Sequence, residues 1–184
     1  MEIISTPIRD LVIVKNRIFA DSRGFFLESY NKKRLAESGI NIDFCQDNLS
    51  KSSSGVVRGL HYQLNPHCQS KLVSVIVGKV YDVAVDIRKG SPTFGQWFGV
   101  ELSEENKLQF LIPQGFAHGF SVLSETAVFS YKCDDFYNPT LERGIIYNDP
   151  ALNIDWQIPL QEAIISEKDL KHPTLEKAEM NFVY

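Results

Sequence analysis

Short segments in which apolar and polar residues alternate, separated by Gly, Pro and Asn, run through most of the chain. Leu72–Val77 is rich in β-branched residues and is followed by Gly78. The same alternation marks residues 80–87, 108–112 and 127–133. Alternating segments bounded by turn residues predict β-strands. The helices that a βαβ fold needs between its strands are missing, so we expect an all-β, antiparallel sandwich or barrel with a few short helices.

One stretch has the features of a regular helix. Asn31 can cap a helix over Lys32–Glu37, and Gly39 suits its end. Residues 103–106 and 166–169 predict single helical turns. No repeat or long linker interrupts the 184 residues, so we expect a single domain over residues 1–184.

Composition narrows the classes of protein that fit. Hydrophobic residues make up 43% and charged residues 23% of the chain, as in ordinary globular domains. No apolar run approaches the roughly 18 residues of a membrane span, and the first residues lack the pattern of a signal peptide. We therefore expect a cytoplasmic protein with no membrane partner. The net charge of −4 argues against a nucleic-acid partner bound through a broad basic surface.

The cysteines predict neither disulfides nor a zinc site. Cys45, Cys68 and Cys133 are odd in number and far apart, and no C-x-x-C is present. We expect buried, reduced thiols.

A histidine lies in the strand-like segment Val57–Gln63. His61 could act as a base near neutral pH, or it could be a core histidine satisfied by a hydrogen bond. Strict alternation places Arg58 and His61 on opposite faces of a strand. A bulge at Gly59 would bring them to the same side.

The segment Ile112–Phe120 contains the spacing P-x-G-x-x-H, which resembles the second half of the cupin signature. In metal cupins this histidine is a ligand, together with an H-x-H pair and a glutamate from the first half. Here the first half offers His61 alone, and His67 lies six residues further on, so no metal site is expected. A cupin-like barrel is favoured, with His118 either a structural residue near its mouth or a ligand contact.

Other polar residues have one chemical and one ordinary interpretation. Tyr131 could donate a proton, because a phenol is protonated at pH 7, or it could be a simple strand tyrosine. Asp169 could orient a catalytic imidazole, or it could complete a helix capping box with Ser166. Four cations could converge on a diphosphate or remain solvated surface charges: Arg23, Arg58, Lys71 and Lys168.

Many segments, in order along nearly the whole chain, form one larger pattern. They are Asp21–Glu28, Gln46–Ser50, Val57–Gln63, Lys71–Val73, Gly78–Val83, Val85–Arg88, Ser91–Trp97, Ile112–Phe120, Tyr131–Pro139, Asn148–Pro150, Ile154–Trp156 and Ser166–Asp169. Together they resemble the dTDP-4-dehydrorhamnose 3,5-epimerase family. A match to a single motif would be weak evidence for the family, whereas this many matching segments in the family's order and spacing are specific to it.

The resemblance implies a cupin-like (jelly-roll) isomerase that inverts C3 and C5 of a dTDP-linked 4-keto-6-deoxy sugar without cofactor or metal. His61 resembles the family's general base, Asp169 the carboxylate paired with it, and Tyr131 the proton donor on the opposite side of the sugar. Lys71 resembles the cation beside the ketone, and Tyr137 the aromatic that stacks on thymine. The positions that match substrate contacts are Arg23, Phe26, Glu28, Gln46, Asp47, Asn48, Arg58, Lys71, His118, Tyr137, Glu142 and Lys168. The family is dimeric, and the partner subunit helps to complete the nucleotide site near Arg23.

These residue types suit the chemistry that the resemblance implies. Hydrogens on C3 and C5 flank the C4 ketone, so a base can remove one to give an enolate, and an acid on the other face can replace it. A lysine beside the ketone would stabilise the charge that develops on its oxygen. Three alternatives stay open: inversion at C3 only or C5 only, a catalytically silent sugar-nucleotide-binding cupin, and a metal-dependent cupin oxygenase.

Overall fold

A computed structural model describes all residues from 1 to 184. The strands are β1 (Glu2–Ser5), β2 (Val12–Lys15), β3 (Ile18–Asp21), β4 (Gly24–Leu27), β5 (Gln46–Ser53), β6 (Val57–Gln63), β7 (Lys71–Val77), β8 (Lys79–Asp86), β9 (Trp97–Ser103), β10 (Leu108–Ile112), β11 (Phe116–Val122), β12 (Thr126–Cys133) and β13 (Glu142–Gly144). The helix α1 covers Lys32–Glu37, and 3₁₀ turns cover Leu160–Glu162, Asp169–Lys171 and Leu175–Lys177. The predicted predominance of strands is confirmed.

The strands form two facing sheets and one separate hairpin. The larger sheet has the order β1-β2-β10-β7-β12-β5, the smaller has β13-β6-β11-β8-β9, and β3 pairs only with β4. Every strand pairing is antiparallel. The predicted antiparallel, cupin-like barrel is therefore confirmed.

An apolar core fills the space between the sheets. Val73 and Phe129 from the larger sheet pack in one cluster with Val80, Ala84 and Phe120 from the smaller. Because side chains alternate along a strand, the residues two positions from these also face inward. This register carries polar side chains into one end of the barrel.

A second apolar layer covers the outer face of the smaller sheet. Val83, Val85 and Ile87 are fully buried there, against Ile154 and Trp156 of the C-terminal segment. The two-faced burial of β8 follows the alternation in its sequence. The C-terminal segment is thereby packed across β6 and β8, which brings its later residues to the barrel mouth.

The helix forms where the sequence predicts it. The Asn31 side chain accepts a hydrogen bond from the Arg34 amide, and Leu35 packs with Val14 and Leu72 on the outer face of the larger sheet. The predicted helical turn at 103–106 is a hydrogen-bonded turn outside any helix, and the one at 166–169 becomes the lead-in to a 3₁₀ turn that begins at Asp169.

The cysteine prediction was wrong at one position. Cys68 and Cys133 are buried and reduced, but Cys45 is exposed, because it lies in the loop before β5. Burial raises the pKa of the Cys133 thiol to about 11.

No helix in the structure has the length and apolar character to cross a membrane.

Candidate active site

A bulge in β6 sets the direction of the side chains at the barrel mouth. Arg58 pairs with Phe120 and His61 with His118, so three steps along β6 face two steps along β11. Gly59 has a φ of +114°, and a Cβ there would lie 2.5 Å from the Cα of Gly119. The bulge that the sequence allowed at Gly59 is therefore present, and Arg58 and His61 border the same pocket.

His61 is paired with a buried carboxylate. Its Nε2 lies 2.7 Å from Oδ1 of Asp169, whose side chain is only 4% exposed. The Gly59 amide donates to Oδ2 of Asp169, and the Asp169 amide donates to Oγ of Ser166. Burial alone would raise the pKa of Asp169, but the His61 hydrogen bond and charge and the Gly59 amide together lower it. An ionised Asp169 makes Nε2–H of His61 the donor, which leaves Nδ1 free to accept a proton.

A cavity of about 400 Å³ opens in front of this pair. His61 reaches it from β6 in the smaller sheet, whereas Lys71 and Tyr131 reach it from β7 and β12 in the larger sheet. The full lining is Gln46, Asn48, His61, Tyr62, Gln63, Gln69, Lys71, Tyr131, Tyr137 and Glu142. The two sheets thus present an imidazole and a phenol to one space.

The phenol of Tyr131 is held in its protonated form. Burial raises the pKa of Tyr131 above its ordinary value of 10.0, although the nearby Arg58 charge opposes the rise. A protonated phenol can donate at neutral pH.

Lys71 lies close to a buried, hydrogen-bonded histidine–carboxyl pair. Nε2 of His118 is 2.9 and 3.0 Å from the two carboxylate oxygens of Asp82, and both residues are buried. Burial lowers the pKa of Lys71, although the carboxylates of Asp82 and Glu142 oppose this shift. Burial also raises the pKa of Asp82 and lowers that of His118, and their mutual contact opposes both shifts. His118 is buried beside Asp82 and is not among the residues that line the cavity.

The cavity rim is formed by the loop after β12. The Tyr137 hydroxyl donates to Oε2 of Glu142 at 2.7 Å, and Lys168 donates to the same oxygen. The side-chain oxygen of Gln46 accepts a hydrogen bond from the Tyr137 amide. Gln63 also fixes this loop, because its side chain donates to the Phe136 carbonyl and accepts from the Asn138 amide. The exposed Tyr137 ring is thereby placed at the entrance.

Several residues expected to bind substrate lie away from this cavity. Asp47 points to the outer face of the larger sheet, where Lys132 is 2.8 Å from it, because alternation turns it away from its neighbours on β5. Arg23 and Phe26 lie on the exposed β3–β4 hairpin, where Arg23 pairs with Asp21. Glu28 contacts Asn31 and Arg34 beside α1.

Some residues that the structure brings to the site are not among those predicted. Asp82 has a signal in the sequence, because it is an acid on the inward-facing side of the strand pattern at 80–87. Gln63 and Gln69 carry no comparable signal. His172 packs edge-on against His61, with ring centroids 5.5 Å apart. Burial lowers the pKa of His172, and the neighbouring His61 lowers it further while Asp169 raises it.

Comparison with known proteins decides the family. The family model for dTDP-4-dehydrorhamnose 3,5-epimerase matches residues 5–177. The chain belongs to the dTDP-4-dehydrorhamnose 3,5-epimerase family. The resemblance drawn from the sequence is therefore confirmed.

Individual members of this epimerase family are similar over nearly their whole length. The dTDP-4-dehydrorhamnose 3,5-epimerase of Shigella flexneri is 55% identical over 171 residues, which are 92% of this chain and 93% of the relative. A crystal structure from Legionella pneumophila, in complex with dTDP-4-keto-L-rhamnose, superposes with a TM-score of 0.92 at 55% identity, covering 96% of this chain and 93% of the other. A 3'-monoepimerase from Streptomyces bikiniensis in complex with dTDP-quinovose gives a TM-score of 0.88 at 30% identity, covering 94% of this chain and 87% of the other.

Proposed function

We propose that the protein epimerises dTDP-4-dehydro-6-deoxy-D-glucose at C3 and C5 to give dTDP-4-dehydro-L-rhamnose. The observation that carries the proposal is the meeting of the His61–Asp169 pair, Tyr131 and Lys71 in one cavity, from two opposing sheets. A base and an acid on opposite walls are what inversion of a carbon centre requires. The Shigella flexneri relative is a dTDP-4-dehydrorhamnose 3,5-epimerase, and the Legionella pneumophila relative was solved with dTDP-4-keto-L-rhamnose; each is 55% identical to this chain.

In this proposal His61 removes the proton from the carbon next to the ketone. Nδ1 accepts it, since Nε2 is engaged by Asp169. The imidazolium that forms is stabilised by the ionised Asp169 beside it. Tyr131, protonated and on the opposite wall, then delivers a proton to the other face of the same carbon.

Lys71 is proposed to stabilise the enolate oxygen. The negative charge appears on the C4 oxygen only as the proton leaves, so a fixed cation there favours the transition state over the ground state. The Asp82–His118 pair behind Lys71 holds this end of the barrel in place. The reaction needs no redox cofactor, because the substrate already carries the ketone.

The nucleotide is proposed to bind at the rim and across a dimer interface. Tyr137 offers an exposed ring for stacking on thymine, and Lys168 and Arg58 offer cations near the cavity. Arg23 and Phe26 extend from the barrel on a hairpin, where Phe25 and Phe26 are 58% and 67% exposed. A second copy of the chain would cover these rings and receive Arg23 at its own cavity.

A cytoplasmic location is proposed because a reducing compartment preserves free thiols such as the exposed Cys45.

Proton NMR of the enzyme with dTDP-4-dehydro-6-deoxy-D-glucose in deuterated water tests the proposal. Deuterium at both C3 and C5, together with an L-configured product, is the expected result. Exchange at one carbon alone would replace the proposal with a single-centre epimerase, such as the Streptomyces bikiniensis relative. Saturable binding without exchange would mean a binding protein. The matched control is His61→Ala, which should bind dTDP but exchange neither hydrogen.

A further inference from the structure

Three potential metal ligands converge behind the cavity. His61, Asp169 and His172 each offer one ligand atom, and these three atoms all lie within 4.8 Å of one another. Asp169 stands between the two rings, 2.7 Å from His61 and 3.5 Å from His172. Two imidazoles and one carboxylate are a donor set that zinc uses, with an open position left for a fourth ligand.

The nitrogen of His172 has no partner of its own. Nε2 is buried and makes no hydrogen bond, although buried polar atoms are nearly always satisfied. The ring packs directly over Gly144, where a Cβ would collide with it. Gly144 in turn pairs with His61 across β13 and β6, so the missing side chain leaves the space in which His172 reaches the base. An orphaned nitrogen held at this position is preorganised to receive a ligand.

Two of the three residues, His61 and Asp169, also border a pocket outside the substrate cavity. A second pocket of about 390 Å³ is lined by His61 and Asp169 from the side of Arg58, Ser166 and Lys168. Lys168 is paired with Glu142, which offsets part of its charge at this pocket.

We propose that His61, Asp169 and His172 form a binding site for a divalent transition metal of the zinc type, and that the bound metal switches off the base. The ion takes the place of the proton between His61 and Asp169, and that proton is released to solvent. His172 supplies the third ligand. The site differs from that of metal cupins, since it uses neither the H-x-H pair nor His118. The loss of turnover rests on the proposed role of His61, whereas metal binding does not.

Metal binding is measured first, with Co²⁺ as a spectroscopic probe. The purified protein, freed of metal with a chelator, is titrated with Co²⁺ and followed by visible absorption. We expect one equivalent to bind with the intense absorption of four-coordinate cobalt, and Zn²⁺ to displace it. His172→Ala should bind at least about tenfold more weakly, because one of three protein ligands is lost. The matched control His67→Ala removes an exposed histidine paired with Asp135 and should bind as the wild type does.

Inhibition is measured second, by deuterium exchange at increasing Zn²⁺. Wild type and His67→Ala should lose turnover at the same low concentration and recover with a chelator, while His172→Ala should resist. Equal cobalt affinity in wild type and His172→Ala would overturn the metal site. Imidazole NMR of the wild type tests the site without a variant: His61 and His172 signals that Zn²⁺ leaves unmoved would also overturn it. Stoichiometric binding with full turnover would keep the site and remove His61 from the role of base.

Discussion

Nε2 of His61 and Oδ1 of Asp169 lie 2.7 Å apart, although the two residues are 108 positions apart in the chain. One comes from a bulged strand of the barrel and the other from a 3₁₀ turn near the C-terminus. Because Nε2 is occupied by this contact, any proton taken from a substrate must go to Nδ1. The pair therefore fixes both the tautomer and the direction of the base.

Replacing Asp169 with Asn should slow turnover by about 10²- to 10⁴-fold. The amide keeps the size of the carboxylate but cannot stabilise an imidazolium at His61. Deuterium exchange at C3 and C5 provides the rate, and dTDP affinity should stay near the wild-type value. A variant with more than half of wild-type turnover would contradict the role of the pair.

Tyr131→Phe should separate proton removal from inversion. The base remains in place, so exchange of the substrate hydrogen with solvent continues, while delivery of a proton to the opposite face fails. We expect product formation to fall by roughly 10²-fold or more relative to exchange. The two rates are read from one NMR time course. If both fell by the same factor, Tyr131 would not be the donor.

The alkaline limit of activity should reflect Lys71. Burial lowers its pKa below the ordinary 10.5, so its charge, and with it the stabilisation of the enolate, is lost as pH rises through that lowered value. The pKa of Tyr131 shifts in the opposite direction, since burial raises it above 10.0. Tyr131 therefore keeps its proton to higher pH. We expect kcat/KM to fall with one proton below pH 10.5, and Lys71→Arg to move this limb upward. A flat profile up to pH 10.5 would contradict the assignment.

Gly59→Ala should destabilise the protein by about 3 kcal/mol or more, because strain at positive φ adds to a collision with the Gly119 backbone. The matched control is Gly39→Ala, which also has positive φ but no atom within 4 Å of the added Cβ. This control should lose only about 1–2 kcal/mol. Urea unfolding gives both values. Similar losses in the two variants would mean that the bulge tolerates a side chain.

Subunit complementation should locate Arg23. Arg23→Ala and His61→Ala, each expected to be inactive alone, are co-expressed so that mixed copies of the proposed dimer form. If Arg23 serves the partner's cavity, one site in each mixed dimer is intact, and roughly a quarter of wild-type activity should return. No recovery in a confirmed mixed dimer would place Arg23 in the site of its own chain.

Alternation along the chain was enough to predict strands at β7, β8, β10 and β12 and to divide β8 into two faces, because each side chain points away from its neighbours. It did not indicate which face of β8 points into the barrel. The same rule fails where the backbone departs from it. Arg58 and His61 share a pocket only because Gly59 adds a residue to the strand. Local rules of this kind cannot predict such a departure, only that glycine permits it.

Positions that depend on the whole fold were harder to predict. Asp47 lies inside a matching motif, yet its strand position turns it outward, toward Lys132. Arg23 lies on a hairpin whose proposed place in the site depends on a second subunit. His172 escaped prediction because its contact with His61 depends on how the C-terminal segment crosses the barrel, which no local pattern encodes.

The turn that carries Asp169 is less well covered than the rest of the C-terminal segment, which packs on the smaller sheet. Ile164 and Leu170, on either side of Asp169, are 55% and 51% exposed, whereas the barrel core is closed to solvent. Segments with few buried contacts open at lower free energy than the fold that carries them. Warming should therefore detach the carboxylate from His61 while the sheets stay paired. Catalytic activity would then fall at temperatures below the unfolding transition and return on cooling, so inactivation would precede unfolding of the barrel.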